Sequence, residues 1–89
     1  MTESAPPMRN VEVRLFAAAA DAVGRDRVSV RVPVDATVQA LLEAVAAAYP
    51  PLAGTLPTLL VAVDHSYVRR GDRIPAAGEI ACFPPVSGG

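Results

Sequence analysis

Apolar and charged positions alternate from Val11 to Leu15: Val11, Val13 and Leu15 fall on one side, Glu12 and Arg14 on the other. A period of two with one apolar face predicts a strand with one buried side. The alternation returns from Arg27 to Val32, where Val28, Val30 and Val32 point inward between Arg27, Ser29 and Arg31. Between these strands, Ala17 to Val23 is alanine-rich and reads as two helical turns stopped by Gly24. About ten residues separate the strands, so they form a loose hairpin rather than a tight one. A longer period follows. Val38, Leu41, Leu42, Val45 and Tyr49 occupy i, i+3, i+4, i+7 and i+11, the apolar stripe of one helix, while Gln39 and Glu43 point away. Thr37 is placed to cap the first turn, and Pro50-Pro51 stops the helix.

Beyond the prolines, residues 50–57 read as a Pro/Gly loop. Leu59 to Val63 is a continuous apolar run. Such a run suits a strand buried on both faces, or one whose outer face meets a partner. Asp64-His65 turns the chain into a short segment, Ser66 to Val68. A polar, turn-rich stretch from Arg69 to Gly78 leads to a last strand, Glu79 to Phe83, ended by Pro84-Pro85. The order is strand, strand, helix, strand, short strand, strand. A single amphipathic helix needs one sheet face to bury against. The expected fold is therefore α+β, a ubiquitin-like β-grasp with a mixed sheet of four to five strands on one main helix. Three parts are predicted: a disordered N-terminal arm over 1–10, the folded domain over 11–83, and a flexible tail over 84–89.

Composition sharpens this picture at a few points. The chain has 89 residues, 52% of them hydrophobic. A domain of this size hides only roughly 60–65% of its unfolded surface. That leaves apolar surface for a partner face, though much of the apolar count is alanine. A net charge of -1 and four scattered aromatics (Phe16, Tyr49, Tyr67, Phe83) offer nothing for nucleic acid. No apolar run approaches the roughly 20 residues needed to span a membrane, and Met1 to Asn10 lacks the apolar core of a signal peptide. Cys82 is the one cysteine, which excludes an internal disulfide or a cysteine metal site and fits a reducing, cytoplasmic setting. All basic residues are arginine.

Side chains suited to catalysis are scarce. His65 beside Asp64 has the types of an acid–base dyad but the position of a turn former, with no nucleophile nearby. Cys82 in a strand reads as a small core hydrophobe. Arg69, Arg70 and Arg73 read as a solvated turn, with an anion or acidic partner as the other reading. The dispersed glycines form no phosphate loop. What remains is the terminus. Val86-Ser87-Gly88-Gly89 follows the stiff Phe83-Pro84-Pro85 exit, and residues 84–89 reach about 20 Å when extended. A glycine pair without side chains suits a narrow enzyme pocket. By itself a terminal carboxylate is a poor acyl donor and needs activation, for which this chain has no ATP site.

The chain resembles the MoaD/ThiS family of sulfur carriers, in particular the small subunit of molybdopterin synthase. The resemblance rests on VRLFAAAADAVG (Val13 to Gly24), Ala36 to Pro50, LVAVDHSYV (Leu60 to Val68) and FPPVSGG (Phe83 to Gly89). Asp64 stands where many members have Asn, a residue able to make the same side-chain turn bond. The resemblance implies a non-catalytic subunit that binds no cofactor or metal. A ubiquitin-activating-like (MoeB-like) adenylyltransferase would use ATP to adenylate Gly89, and a sulfur donor protein would convert it to a thiocarboxylate. The tail would then enter a MoaE-like large subunit, in a heterotetramer of two small and two large chains, and pass sulfur to cyclic pyranopterin monophosphate. Gly89 would carry the sulfur. Gly88 would give backbone access, and Phe83, Pro84, Pro85, Val86 and Ser87 would dock and aim the tail. Three other readings stay open: a carrier for thiamine, cysteine or another sulfur pathway; a ubiquitin-like modifier joined through Gly89 to target lysines; and a binding module with an inert tail.

Overall fold

The first and last strands lie side by side and run parallel, and that pairing organises the molecule. The computed structural model describes residues 7–75 and 78–84. Its elements are β1 (Met8–Leu15), α1 (Ala17–Val23), β2 (Arg27–Pro33), α2 (Val38–Ala48), a 3-10 segment (Pro50–Thr58), β3 (Leu60–Val63), β4 (Ser66–Tyr67) and β5 (Ile80–Phe83). The five strands form one mixed sheet in the order β2-β1-β5-β3-β4. Only the β1–β5 pair is parallel, with Val13 opposite Ile80 and Leu15 opposite Cys82. A parallel neighbour cannot be reached by a tight hairpin. Here the intervening chain supplies the crossover and carries α2 across one sheet face. This is the expected ubiquitin-like β-grasp.

Alternation decides which face is buried. Val11, Val13 and Leu15 of β1, Val28, Val30 and Val32 of β2, and Ile80 and Cys82 of β5 are at most 7% exposed. They meet Val38, Leu41, Leu42 and Val45 of α2, the predicted stripe, in one core. Tyr49 packs at its margin, half-buried. Burying each such Leu or Val stabilises by about 1.5–3 kcal/mol relative to exposure. The Ala40 N–H donates to Thr37 Oγ1 at 3.2 Å, the predicted cap. α1 ends where its pattern ends: Gly24 has φ 82°, and its N–H returns to the Ala20 carbonyl at 2.8 Å. That left-handed closure carries little penalty only for glycine.

Two boundaries differ from expectation. β1 begins at Met8, so Met8 to Asn10 are strand rather than arm; they pair with Pro33, Val32 and Arg31 of β2. Backbone pairing needs no apolar side chain, and Met8 and Asn10 are exposed, so alternation gave no signal there. Of the rest of the predicted arm, Pro7 accepts the Val34 N–H through its carbonyl at 2.9 Å, and residues 1–6 lie outside the described residues. The supposed loop at 50–57 is the 3-10 segment, which buries Leu52 fully. Hydroxyls close its turns: Thr55 donates to the Leu52 carbonyl at 3.0 Å, and Thr58 to the Thr55 carbonyl at 2.9 Å.

Arg70 is not a solvated turn residue. Half-buried, it donates through Nη2 to the carbonyls of Leu56 (2.7 Å) and Leu59 (3.1 Å), and through Nη1 to Gln39 Oε1 (2.9 Å). It ties the 3-10 segment to α2. Arg70→Leu strands two backbone carbonyls and is expected to lower unfolding free energy by about 2–3 kcal/mol, measured by chemical denaturation. Arg69 and Arg73 are exposed, as expected.

Candidate functional site

Opposite residues on paired strands share a face. Val61 stands opposite Cys82 and Val63 opposite Ile80, so both look into the core. Leu60, opposite Phe83, and Ala62, opposite Ala81 and Tyr67, therefore lie on the other face of the sheet. Arg14, opposite Ala81, joins them there. The apolar run of β3 is thus inward at one parity and outward-apolar at the other. A strand whose outer positions are alanine and leucine leaves an apolar surface uncovered by α2.

On that surface lies an open recess of about 580 Å³. Phe16, Tyr67 and Phe83 form its walls and Ala62 and Ala81 its floor, while Arg14, Glu79 and His65 stand at its margin. The Tyr67 and Phe83 rings meet tilted, with centroids 5.7 Å apart. Phe16 is 41% exposed and Tyr67 67% exposed, two of the four large hydrophobics exposed among the described residues, with Met8 and Val34 the others. Three of the four aromatics that look scattered along the chain converge here. The fourth, Tyr49, belongs to the core margin.

Pro84, the residue by which the chain leaves β5, also lines the recess. Because β5 runs parallel to β1, its end lies beside the Phe16 corner, where the Phe16 N–H donates to the Cys82 carbonyl at 3.2 Å. The exit toward the Gly-Gly terminus and the apolar recess are therefore one place. Of the expected docking residues, Phe83 and Pro84 stand at this site. Pro85, Val86, Ser87, Gly88 and Gly89 lie outside the described residues.

The other candidate side chains fall to structural roles. Cys82 is fully buried in the core, and burial pushes its thiol from 9.0 up to about 12, only partly opposed by the positive charge of Arg70. A protonated, buried thiol is a poor nucleophile. Alkylation of Cys82 by iodoacetamide at pH 8 is expected to be undetectable in the folded protein and to appear with unfolding, followed by mass spectrometry across a urea series. His65 is exposed, at φ 70° in the turn after β3, and no side-chain partner of Asp64 makes it a dyad. Instead Asp64 Oδ1 accepts the Glu79 N–H at 2.9 Å, and the Asp64 N–H donates to the Glu79 carbonyl at 3.0 Å. The side-chain bond thus reaches to the start of β5 and fixes where that strand begins. Gly78 allows this approach: at φ 127°, its missing Cβ would sit 2.8 Å from the Asp64 carboxylate. Among the described residues no cluster of His, Cys, Asp or Glu could hold a metal ion, and no helix is long and apolar enough to cross a membrane.

A mixed sheet whose first and last strands are parallel neighbours, with α2 packed on one face, is the ubiquitin-like β-grasp architecture. The chain belongs to the ThiS family, whose model matches residues 13–89. It is 35% identical over 81 residues to the molybdopterin synthase sulfur carrier subunit of Dictyostelium discoideum, covering 88% of this chain and 94% of that one. To the human protein of the same name it is 33% identical over 86 residues, covering 93% and 98%. Among solved structures it is similar to SAMP1, small archaeal modifier protein 1, of Haloferax volcanii. That likeness has a TM-score of 0.77 at 34% identity, over 91% of this chain and all of the other.

Proposed function

We propose that this chain is the sulfur carrier subunit of a molybdopterin synthase and that Gly89 is the atom-bearing end. The observation that carries the reading is the coincidence of the apolar recess with the exit of β5 at Phe83 and Pro84. A partner that grips the recess is placed to receive the terminus. The names of the curated relatives supply the cargo and the enzyme.

In this reading an adenylyltransferase of the ubiquitin-activating kind binds ATP. The Gly89 carboxylate attacks the α-phosphate, pyrophosphate leaves, and an acyl-adenylate forms. Sulfide-level sulfur delivered by a donor protein then attacks the acyl carbon, AMP leaves, and the terminus becomes a thiocarboxylate. The tail enters the synthase large subunit, in an assembly of two small and two large chains, and the soft sulfur is passed to cyclic pyranopterin monophosphate. Gly88 gives the backbone close approach, and residues 83–87 aim it. The chemistry is supplied by the partners, and the carrier works in the cytoplasm, where Cys82 stays a thiol.

Intact-mass spectrometry of the protein recovered from its own cells tests this. The expected species is heavier by one oxygen-to-sulfur exchange, located to Gly89. Its consistent absence under sulfur-replete growth would overturn the proposal. A second reading has a specific observation behind it: the likeness to an archaeal protein named as a modifier. Conjugation would use the same activated Gly89 but end in an isopeptide bond, so Gly89-linked lysine adducts in a digest of cell extract would identify it.

A further inference from the structure

The three non-glycine residues with positive φ among the described residues are Ala17, Asp64 and His65. Two of them, Ala17 and His65, line the recess. Asp64 has a local reason, its bonds to Glu79. Ala17 has none of that kind. It opens α1 at φ 53°, a conformation in which the Cβ crowds the following carbonyl and which alanine rarely adopts. The residue before it is Phe16, extended at φ -128° and ψ 153°, with its side chain offered to the recess rather than to a cap. The sharp turn at Ala17 lets β1 stop, α1 start, and the Phe16 ring stay on the outer face of the sheet.

A second contact holds the same ring. The Arg14 guanidinium carbon lies 5.1 Å from the Phe16 ring centroid, within cation–π range. Arg14 is itself tied by Nη1 to Glu79 Oε2 at 3.1 Å. Both members of this pair are more than a third exposed, so the pair contributes little to folding. Its geometry matters more than its energy. Glu79 sits just before β5, fixed by Asp64, and Arg14 bridges it to the exposed Phe16 ring.

We propose that Arg14 and Ala17 are positioning residues for docking: they hold Phe16 in advance as a wall of the recess, so that an apolar side chain of the synthase large subunit meets a preformed pocket. This inference rests on the docking role proposed above. Arg14 acts from the side, through the ring face, and Ala17 acts through the backbone. Freezing a side chain before association removes an ordering penalty that binding would otherwise carry. Glycine at this position would take the same left-handed turn without strain but would admit other conformations as well, so it would hold the Phe16 ring less firmly.

The test is titration calorimetry against the large subunit of molybdopterin synthase from the same cells, with thermal melts and aromatic NMR of the free carrier. Ala17→Gly is expected to raise the melting temperature, because removing the Cβ relieves the left-handed turn, and yet to weaken binding about threefold. A merely structural role does not move those two readouts in opposite directions. Arg14→Leu is expected to weaken binding by a similar factor and to shift and broaden the Phe16 ring signals in the free chain. Arg14→Lys, which keeps a cation near the ring, restores most of the affinity. If the wild-type chain binds but both variants bind as it does, or the Phe16 signals do not change, this inference falls while the carrier reading stands. If the wild-type chain itself fails to bind the large subunit, both fall.

Discussion

Removing Gly88 and Gly89 is expected to abolish sulfur transfer while leaving folding and partner affinity nearly unchanged. Every buried hydrophobic residue of the described structure lies between Val11 and Cys82, several residues before the last two. The melting temperature should move by less than about 1 °C, since surface changes away from core features stay within about 0.5 kcal/mol. Transfer should fall to background, because the proposed reacting carboxylate would then belong to Ser87, two residues short of the position at which partner enzymes act. A tail shortened by two residues loses about 7 Å of reach, and misplacement of reacting atoms by even 1 Å can cost roughly a hundredfold. The measurement is molybdopterin formation from the precursor by reconstituted synthase, with thiocarboxylate on the carrier followed by mass. Gly89→Ala is the finer probe, since it keeps the length and adds one methyl group. A truncated chain that still delivers sulfur would move the reactive group elsewhere and leave the tail an inert end.

Much of the fold follows from periodicity because the core is simple. The alternation of valines in β1 and β2 and the Val38 to Val45 stripe of α2 each report one buried face, and together they leave few arrangements. Periodicity fails where burial and backbone pairing separate. Met8 to Asn10 pair with β2 without burying a stripe. The Pro50–Thr58 segment carries three prolines and a glycine, the composition of a loop, yet closes 3-10 turns through Thr55 and Thr58 hydroxyls around Leu52. Arg70 reads as a turn residue because its acceptors, Leu56, Leu59 and Gln39, are recognisable only once the chain has folded.

The candidate site was half legible for a related reason. Its exit, Phe83 and Pro84, is contiguous with the Gly-Gly end and could be named from sequence. The recess draws Phe16, Ala62, Tyr67 and Ala81 from separate strands and corners, and only the register of the sheet brings them together. One signal was present. In Leu59 to Val63 and Ile80 to Phe83 the positions of outward parity, Leu60, Ala62, Ala81 and Phe83, are apolar as well as the inward ones. With α2 packed on the core face, that second face stays uncovered, so apolar residues at outward parity mark a surface that something else must meet.

The sharpest test of that surface is Ala62→Arg, expected to weaken binding of the large subunit by at least about a hundredfold, on the order of 3 kcal/mol. Ala62 is 8% exposed at the floor of the recess, opposite Ala81 and Tyr67. An arginine there extends its stem between the aromatic walls and sets a guanidinium where an apolar side chain of the partner would go, so docking would require burying an unpaired charge. The fold should tolerate it. The long side chain has open space outward, its charged head remains in water, and the core lies on the opposite face of β3. Ser29→Arg is the matched control: it also adds an arginine at a position of outward parity, but an exposed one on β2, outside the recess lining. Calorimetry of the two variants separates a general effect of added charge from a block of this site. If both bind as the unmodified chain does, the large subunit docks elsewhere and the recess serves another partner. If Ala62→Arg alone fails to bind but still gains a thiocarboxylate in cells, activation and delivery read different surfaces of the carrier.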